Sequence, residues 1–170
     1  MQKHLLHACC AICAAGALHN RLITDGLGDG ATISLYYYNP NINTKEEYLK
    51  RANELQKLRE VFVIDKIYIE DYNLKLFNTC ENCITHRLQK TAEFTIQNNY
   101  NTFGTVLSTS PHKNADFINA TGASIATDYK GATYLPANFK KQNGFIKANQ
   151  ISKQLNLYRQ NYCGCGADNR

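Results

Sequence analysis

Seven cysteines fall into three short groups, and this grouping is the first chemical signal in the 170-residue sequence. The first group is His7-Ala8-Cys9-Cys10-Ala11-Ile12-Cys13, where a short apolar run gives way to a predicted helix. The second is Cys80-Glu81-Asn82-Cys83, and the third is Cys163-Gly164-Cys165. Adjacent thiols are easily oxidised, so a protein that needed only packing here would use alanine or valine. We therefore expect the fold to bring the three groups together.

The first two groups suit a metal centre. Cys80 and Cys83 stand at the start of a predicted helix, where backbone amides favour thiolates that can bind one metal. Cys9 and Cys10 can converge on one large object at a strand-to-helix junction, and a four-iron cube accepts four thiolates. These four cysteines are therefore a candidate ligand set for a [4Fe–4S] cluster. A tetrahedral zinc ion held by the same thiolates is the alternative.

Cys13 lies on the same helix face as Cys9 and Cys10, because it follows them by four and three residues. Three roles stay open for it: supporting the cluster, binding a second metal, or packing. His7 precedes this group, either to hydrogen-bond a cluster sulfur or substrate or to serve as a buried structural histidine. His112 lies between a strand end and a helix, a place suited to an anion or a substrate.

The third group, Cys163 and Cys165, has the spacing of a small, strained disulfide that is easily reduced. Gly164 supplies the backbone freedom that such a ring needs. A redox-active dithiol delivers two electrons, which would complement a one-electron cluster. The alternative is that these two thiols are further metal ligands.

Basic and aromatic residues precede the third group. Phe139-Lys140-Lys141-Gln142-Asn143-Gly144 and Lys147 form a basic patch, and Tyr158-Arg159-Gln160-Asn161-Tyr162 leads into the C-x-C. Such interleaving suits contact with an RNA backbone and stacking on its bases. The candidate RNA contacts are Lys140, Lys141, Lys147 and Arg159. A solvated basic face is the other interpretation.

The spacing of apolar residues predicts the strands and helices that position these residues. Strands are predicted at 3–8, 32–38, 61–69 and 103–107, and helices at 11–22, 44–58, 80–96, 113–123 and 146–157. This alternation predicts an α/β domain with a mostly parallel sheet of four or five strands. Ligands of such sheets bind outside the carboxyl ends of the strands. Cys9-Cys10 and the segment 108–112 both fall at such ends.

The composition of the chain argues against a membrane-spanning or an exported protein. At 44% hydrophobic and 19% charged residues, the chain has an ordinary globular composition and is expected to form one domain over 1–170. No run is long enough for a transmembrane helix, and residues 1–7 lack a signal-peptide core, so we expect a cytoplasmic protein without a membrane partner. In that reducing compartment, paired cysteines indicate metal ligands or redox thiols. The formal net charge of +5 fits contact with a phosphate backbone over a limited patch.

Together these motifs resemble the QueH family of epoxyqueuosine reductases, the cobalamin-independent type. The resemblance runs from about residue 3 to residue 166. The matching motifs, in chain order, are His7-x-Cys9-Cys10-x-x-Cys13, Tyr38-Asn39-Pro40-Asn41-Ile42, Cys80-x-x-Cys83-x-x-x-Arg87-Leu88, Ser110-Pro111-His112-Lys113, Phe139-Lys140-Lys141 and Leu157-Tyr158-Arg159-Gln160-x-Tyr162-Cys163-Gly164-Cys165.

The resemblance implies a layered fold of the adenine-nucleotide hydrolase-like group with a cysteine-bearing C-terminal tail. It implies reduction of epoxyqueuosine to queuosine at the tRNA wobble position, with an external electron donor. By motif match, Cys9, Cys10, Cys80 and Cys83 would hold [4Fe–4S], and Cys163 with Cys165 would be the catalytic redox pair. An additional mononuclear iron or zinc remains an option. No glycine-rich pyrophosphate loop is visible, so ATP use is not carried over.

Two positions depart from the family pattern. Ile12 stands where the family often has proline, which changes only local rigidity. Asn138 stands where an aspartate often precedes the Phe-Lys/Arg-Lys motif, so a carboxylate that could bind a second metal or move a proton is absent here.

Two other classes of protein compete with the reductase. A zinc-stabilised RNA-binding module would explain four clustered cysteines and the charge, but not the additional C-x-C. A disulfide oxidoreductase acting on protein thiols would need fewer cysteine groups. The identity of the metal separates the first class from the reductase, and dependence of the activity on tRNA separates the second.

Overall fold

The computed structural model describes residues 1–20 and 26–164. Its centre is a five-stranded sheet in which every neighbouring pair of strands is parallel. The strands are β1 (Lys3–His7), β2 (Thr32–Tyr37), β3 (Ile67–Ile69), β4 (Thr102–Thr105) and β5 (Thr133–Tyr134). The predicted α/β class and parallel sheet are confirmed.

Five α-helices lie within the described residues. They are α1 (Ala11–His19), α2 (Lys45–Glu54), α3 (Cys80–Gln97), α4 (Ala115–Asp128) and α5 (Gly144–Gln154). Short 3₁₀ helices cover Leu55–Glu60, Val106–Thr109 and Lys141–Asn143.

Side-chain caps fix where three of these helices begin. The Thr44 hydroxyl accepts a hydrogen bond from the Glu47 amide at 3.2 Å before α2. The Thr79 hydroxyl accepts one from the Asn82 amide at 3.1 Å before α3. Asn114 does the same before α4. Each cap satisfies an amide that the first helical turn leaves without a partner, so Thr79 sets the position of Cys80 at the helix start.

The strand order β3-β2-β1-β4-β5 gives the sheet two covered faces. Neighbouring residues of a strand point to opposite faces, so Leu6 and Leu5 enter different cores. Leu6 packs in a core with residues of α1, α2 and α5. Leu5 packs in a second core with residues of α3 and α4. The molecule is therefore a three-layer α/β/α structure.

Some predicted boundaries are wrong for physical reasons. The predicted strand 61–69 is a strand only at Ile67–Ile69. Val61 and Phe62 instead donate backbone hydrogen bonds to the Leu58 carbonyl, and Val63 is 98% exposed. β5, with two residues, is too short to leave a periodic signal. Residues 21 and 22, the end of the first predicted helix, lie outside the described residues.

No helix in the described ranges is both long and apolar enough to cross a membrane.

α1 carries the first cysteine group and lies in close contact with α5 at Gly16. A Cβ atom at Gly16 would lie 2.7 Å from Thr109 Cγ2, 2.9 Å from the Gly144 carbonyl oxygen and 3.0 Å from Ala148 Cβ. The carbonyl belongs to the backbone of α5 and cannot rotate away. A side chain at this position would therefore push α5 away from α1.

We expect Gly16→Ala to lower the free energy of unfolding by about 1–3 kcal/mol, the usual cost of overpacking a core. Denaturant-induced unfolding measures this change. Gly26→Ala is the matched control, because a Cβ atom there meets no other atom within 4 Å. Equal stabilities of the two variants would contradict the close α1–α5 contact.

Candidate active site

A cleft of about 630 Å³ opens at the carboxyl ends of β1 and β4. After β1 the chain builds β2 and β3 on one side of the sheet and then returns to add β4 on the other side. Open parallel sheets bind their ligands at such a reversal of strand order, because the loops that follow the two central strands diverge there. The cleft is lined by Cys9, Cys10, Ile12, Cys13, Asn39, Ile42, Arg51, Arg87, Leu107, Thr109, Ser110, Pro111, His112, Lys113, Phe145, Ala148, Arg159, Gln160, Asn161, Tyr162 and Cys163.

The first cysteine group forms a compact cluster of thiols at the base of this cleft. Cys10 is the N-cap of α1 in an extended conformation, and its sulfur accepts a hydrogen bond from the Cys13 amide at 3.4 Å. The sulfur atoms of Cys9, Cys10 and Cys13 all lie within 4.8 Å of one another. Within residues 1–20 and 26–164, this is the only group of three or more cysteine, histidine or acidic ligand atoms at such distances. The group could hold a metal.

The three thiols share protons unequally. Hydrogen bonds from the Cys13 and Cys9 thiols hold the pKa of Cys10 well below its usual range. The same hydrogen bonds raise the pKa of Cys9 and Cys13, because each donates its proton to the Cys10 sulfur. Cys10 is thus the thiol of the group that loses its proton most readily, and thiolates are the form that binds metals.

The C-x-x-C places its two thiols differently. Cys80 is exposed at the start of α3, whereas Cys83, one turn further, is buried. Neither sulfur joins the group of Cys9, Cys10 and Cys13 within 4.8 Å. A four-iron cube is larger than a single ion and can be held by thiols that lie further apart. The four-cysteine ligand set therefore stays a prediction.

Lys113 connects the second and third cysteine groups. Its Nζ donates to the Cys80 sulfur at 3.1 Å and to the Cys163 sulfur at 3.7 Å. Burial acts to lower the pKa of Lys113, but the neighbouring sulfurs of Cys163 and Cys80 outweigh it and raise that pKa to about 12. Lys113 is therefore a permanent cation between these sulfurs. The predicted partner thiol, Cys165, lies outside the described residues.

The tail that carries Cys163 is held by a buried arginine of α2. Arg51 donates from Nη1 to the Cys163 carbonyl oxygen at 2.8 Å and from Nη2 to the Tyr162 carbonyl oxygen at 3.1 Å. Its Nε donates to Glu47 at 2.7 Å, and Glu47 also accepts from the Tyr158 hydroxyl. Because Arg51 binds main-chain oxygens, its hold on the tail does not depend on the Cys163 sulfur.

The histidines near the cleft have separate roles. His7 is fully buried; its Nε2 donates to the Tyr38 carbonyl oxygen at 3.0 Å, so its Nδ1 accepts from the Thr105 hydroxyl at 2.9 Å. Burial, and to a smaller extent the charge of Arg87, lowers the pKa of His7 to about 3. His7 is thus a neutral structural histidine that ties β1 to β2 and β4. His112 is exposed and lines the cleft.

The four residues predicted to contact RNA also differ in their surroundings. The Lys140 ammonium donates to the carbonyl oxygens of Lys113 at 2.7 Å and Ser110 at 3.4 Å, so it braces the loop after β4. Lys141 is exposed, and Lys147 is half-buried. Arg159 is exposed on the cleft rim, where it contacts the Asn149 side chain.

Sequence reasoning missed several residues of the cleft. Arg87, Lys113 and Arg51 were not assigned roles, because a single arginine or lysine leaves no local signal of what it will meet. Phe145 on α5 was also missed; it lines the cleft and remains 40% exposed. The side-chain oxygen of Asn138 accepts from the Lys140 amide at 3.3 Å and so caps a turn.

Comparisons with known proteins show which family the chain resembles. The family model described as epoxyqueuosine reductase QueH matches residues 4–169. The chain is 34% identical to the epoxyqueuosine reductase QueH of Staphylococcus epidermidis, over 96% of this chain and 74% of that protein. For the Staphylococcus aureus relative the identity is 32%, with the same coverage. For the Thermotoga maritima relative it is 30%, over 95% of this chain and 87% of that protein. The chain therefore belongs to the QueH family of epoxyqueuosine reductases.

Proposed function

We propose that the chain reduces epoxyqueuosine to queuosine at the wobble position of a tRNA. The observation that carries this proposal is the meeting of three features at one cleft of a QueH-family chain: the thiols of Cys9, Cys10 and Cys13, the tail cysteine Cys163, and the cation of Lys113. The reaction adds two electrons and two protons to the epoxide, breaks both of its C–O bonds, and leaves an alkene and a water molecule.

The cofactor of this proposal is a [4Fe–4S] cluster, held by thiols at the cleft and at the start of α3. The ligands would be Cys9, Cys10, Cys80 and Cys83, with Cys13 available as a further thiol beside Cys10. When bound, such a cluster supplies single electrons and an iron that can polarise a C–O bond. Two buried donor groups of Arg87, Nε and Nη2, have no hydrogen-bond partner among the described residues, which supports an anionic group here. An additional mononuclear iron or zinc would have to find ligands other than Asn138, because an amide is a weaker ligand than a carboxylate.

The protein's own residues supply the surroundings of the reaction. Lys113 stays protonated and places a positive charge between the sulfurs of Cys80 and Cys163. Arg51 holds the tail backbone over the cleft. In the proposed redox step, Cys163 and Cys165 lose two protons and two electrons and form a disulfide. An external reductant then restores the dithiol.

The RNA-facing side of the proposal is the rim of the cleft. Lys141 and Arg159 are exposed and free of carboxylate partners within 4.0 Å among the described residues, so they and Lys147 are the proposed phosphate contacts. Lys140 acts there indirectly, through the loop that it braces. Phe145 presents an aromatic side chain on the same rim, and a base of the anticodon loop can stack on such a surface without breaking a duplex.

The identity of the bound metal is the first test of this proposal. Protein purified without oxygen is expected to show a broad sulfur-to-iron absorption band, with iron and sulfide in cluster proportion. Visible spectroscopy with iron, sulfide and zinc assays measures this. A colourless protein that holds stoichiometric zinc after iron–sulfur reconstitution would overturn the cluster mechanism, and the three sulfurs within 4.8 Å would then be a zinc site.

Replacing the tail thiol separates its chemistry from its position. Cys163→Ser is expected to abolish turnover of tRNA-bound epoxyqueuosine while leaving the cluster absorbance intact. The reason is that Arg51 binds the carbonyl oxygen of residue 163, not its side chain, so the tail should stay in place. Turnover assayed beside the visible spectrum measures both effects. A Cys163→Ser enzyme with full activity would show that the dithiol role is wrong.

The proposed stacking of a base on Phe145 can be tested by comparison with the next residue, Ile146. Phe145→Ala is expected to weaken binding of a tRNA anticodon stem-loop by roughly 5- to 150-fold, the value of about 1–3 kcal/mol for one base stacked on an aromatic ring. Fluorescence anisotropy measures the dissociation constant. The matched control is Ile146→Ala: Ile146 is more exposed, at 54%, but does not line the cleft. Equal effects of the two substitutions would rule out stacking on Phe145.

A further inference from the structure

Arg87 is the largest fully buried side chain of the described residues, with 1% of its surface exposed. It lies on α3, four residues after Cys83, so the two side chains share one helix face. Arg87 is also one of the residues that line the cleft, together with Cys9 and Cys10. A buried arginine at this place requires a partner, because removing a charge from water is costly.

Within the described residues, only one of the three guanidinium nitrogens of Arg87 has a hydrogen-bond partner. Nη1 donates to the Asn39 side-chain oxygen at 3.1 Å, and Asn39 is itself held by the Ala8 carbonyl oxygen at 2.9 Å. Nε and Nη2 have no hydrogen-bond partner, and no carboxylate lies within 4.0 Å of the guanidinium group in residues 1–20 and 26–164. One edge of the group is thus fixed in place, and the remaining donors are unsatisfied.

Arg51 shows what a satisfied buried arginine looks like in the same protein. It is 3% exposed and lines the same cleft, but its Nε, Nη1 and Nη2 all donate to oxygen atoms, from Glu47, Cys163 and Tyr162. The two arginines are therefore buried to a similar extent and differ in how many of their donors have hydrogen-bond partners.

The surroundings of Arg87 indicate which anion would accept hydrogen bonds from its remaining donors. Burial acts to lower the pKa of Arg87, but the sulfurs of Cys83, Cys163, Cys9 and Cys80 outweigh it. Sulfur atoms from all three cysteine groups thus act electrostatically on Arg87. A backbone phosphate of RNA is a poor candidate, because the guanidinium group is almost completely covered by protein.

We propose that Arg87 is the buried counter-cation of the metal centre, and that its Nε and Nη2 groups donate hydrogen bonds to sulfur atoms of the metal-bound thiolates or sulfides. This inference rests on the proposed iron–sulfur function. The charge and hydrogen bonds around the sulfurs set the potential of such a cluster. Arg87 therefore favours the more negative, reduced state, and it makes an electron easier to place at the cleft.

A first experiment uses the metal-free protein. Arg87→Met replaces an incompletely paired buried charge with an apolar side chain, so the melting temperature of metal-free protein should stay equal or rise. Arg51→Met is the matched comparison and should lower it, because three hydrogen-bonded oxygens lose their donor. If Arg87→Met lowers the melting temperature as much as Arg51→Met does, Arg87 is a structural residue and the proposal is overturned.

A second experiment measures the reduction potential of the cluster-loaded protein. Arg87→Gln should disfavour the reduced cluster at least tenfold, a negative shift of 59 mV for one electron, and Arg87→Lys should shift it less because the charge remains. Arg59→Gln removes the same charge from an exposed arginine that binds the Ile64 carbonyl oxygen, and should leave the potential unchanged.

The outcomes distinguish this inference from the proposed function. Wild-type protein that accepts no iron–sulfur cluster would refute the proposed function itself. A cluster-loaded Arg87→Gln protein with the wild-type potential would refute only the role of Arg87. A Gln variant that folds normally but loads no cluster, while the Lys variant loads it, supports the role because only the charge distinguishes them.

Discussion

The cleft depends on the position of β1 between β2 and β4 in an all-parallel sheet. Parallel pairing brings the carboxyl ends of β1 and β4 to the same edge, and the reversal of strand order leaves an opening between the segments that follow them. Cys9 and Cys10 follow the first strand, and Lys113 follows the second. His7 maintains this arrangement by bonding β1 to both neighbouring strands. A change in strand order would separate the thiols from the cation.

Charge balance is the second constraint on the site. Thiolates next to one another repel, and each costs free energy when it is removed from water. Three cations of the described residues offset this cost in different ways. Lys113 binds the sulfurs of Cys80 and Cys163, and Arg51 binds the backbone of the tail. Arg87 keeps two donors unsatisfied. The cleft thus combines sulfur atoms with fixed positive charge, a combination that suits the electron-accepting centre proposed above.

Local patterns predicted the elements more accurately than their ends. The β-branched and aromatic run at Thr32–Tyr37 and the cap at Thr44 were recognised correctly, because both signals lie within a few residues. The segment at Val61 is also β-branched and aromatic, but the amides of Val61 and Phe62 donate to the Leu58 carbonyl oxygen, so it forms a turn. Lys140 was predicted to contact RNA, yet its ammonium group braces a loop, because carbonyl oxygens of Ser110 and Lys113 lie within reach only after folding.

The sequence by itself determined the chemical inventory: three cysteine groups, their spacing, the α/β alternation and the motifs of the QueH family. These depend on residue types and on neighbours within about one helical turn. The tertiary structure decided which groups meet. Arg51 and the Cys163 carbonyl are 112 residues apart in the chain, and Lys113 and Cys80 are 33 residues apart. Only packing decides whether a buried charge finds a partner, and among residues 1–20 and 26–164 it leaves two donors of Arg87 without one.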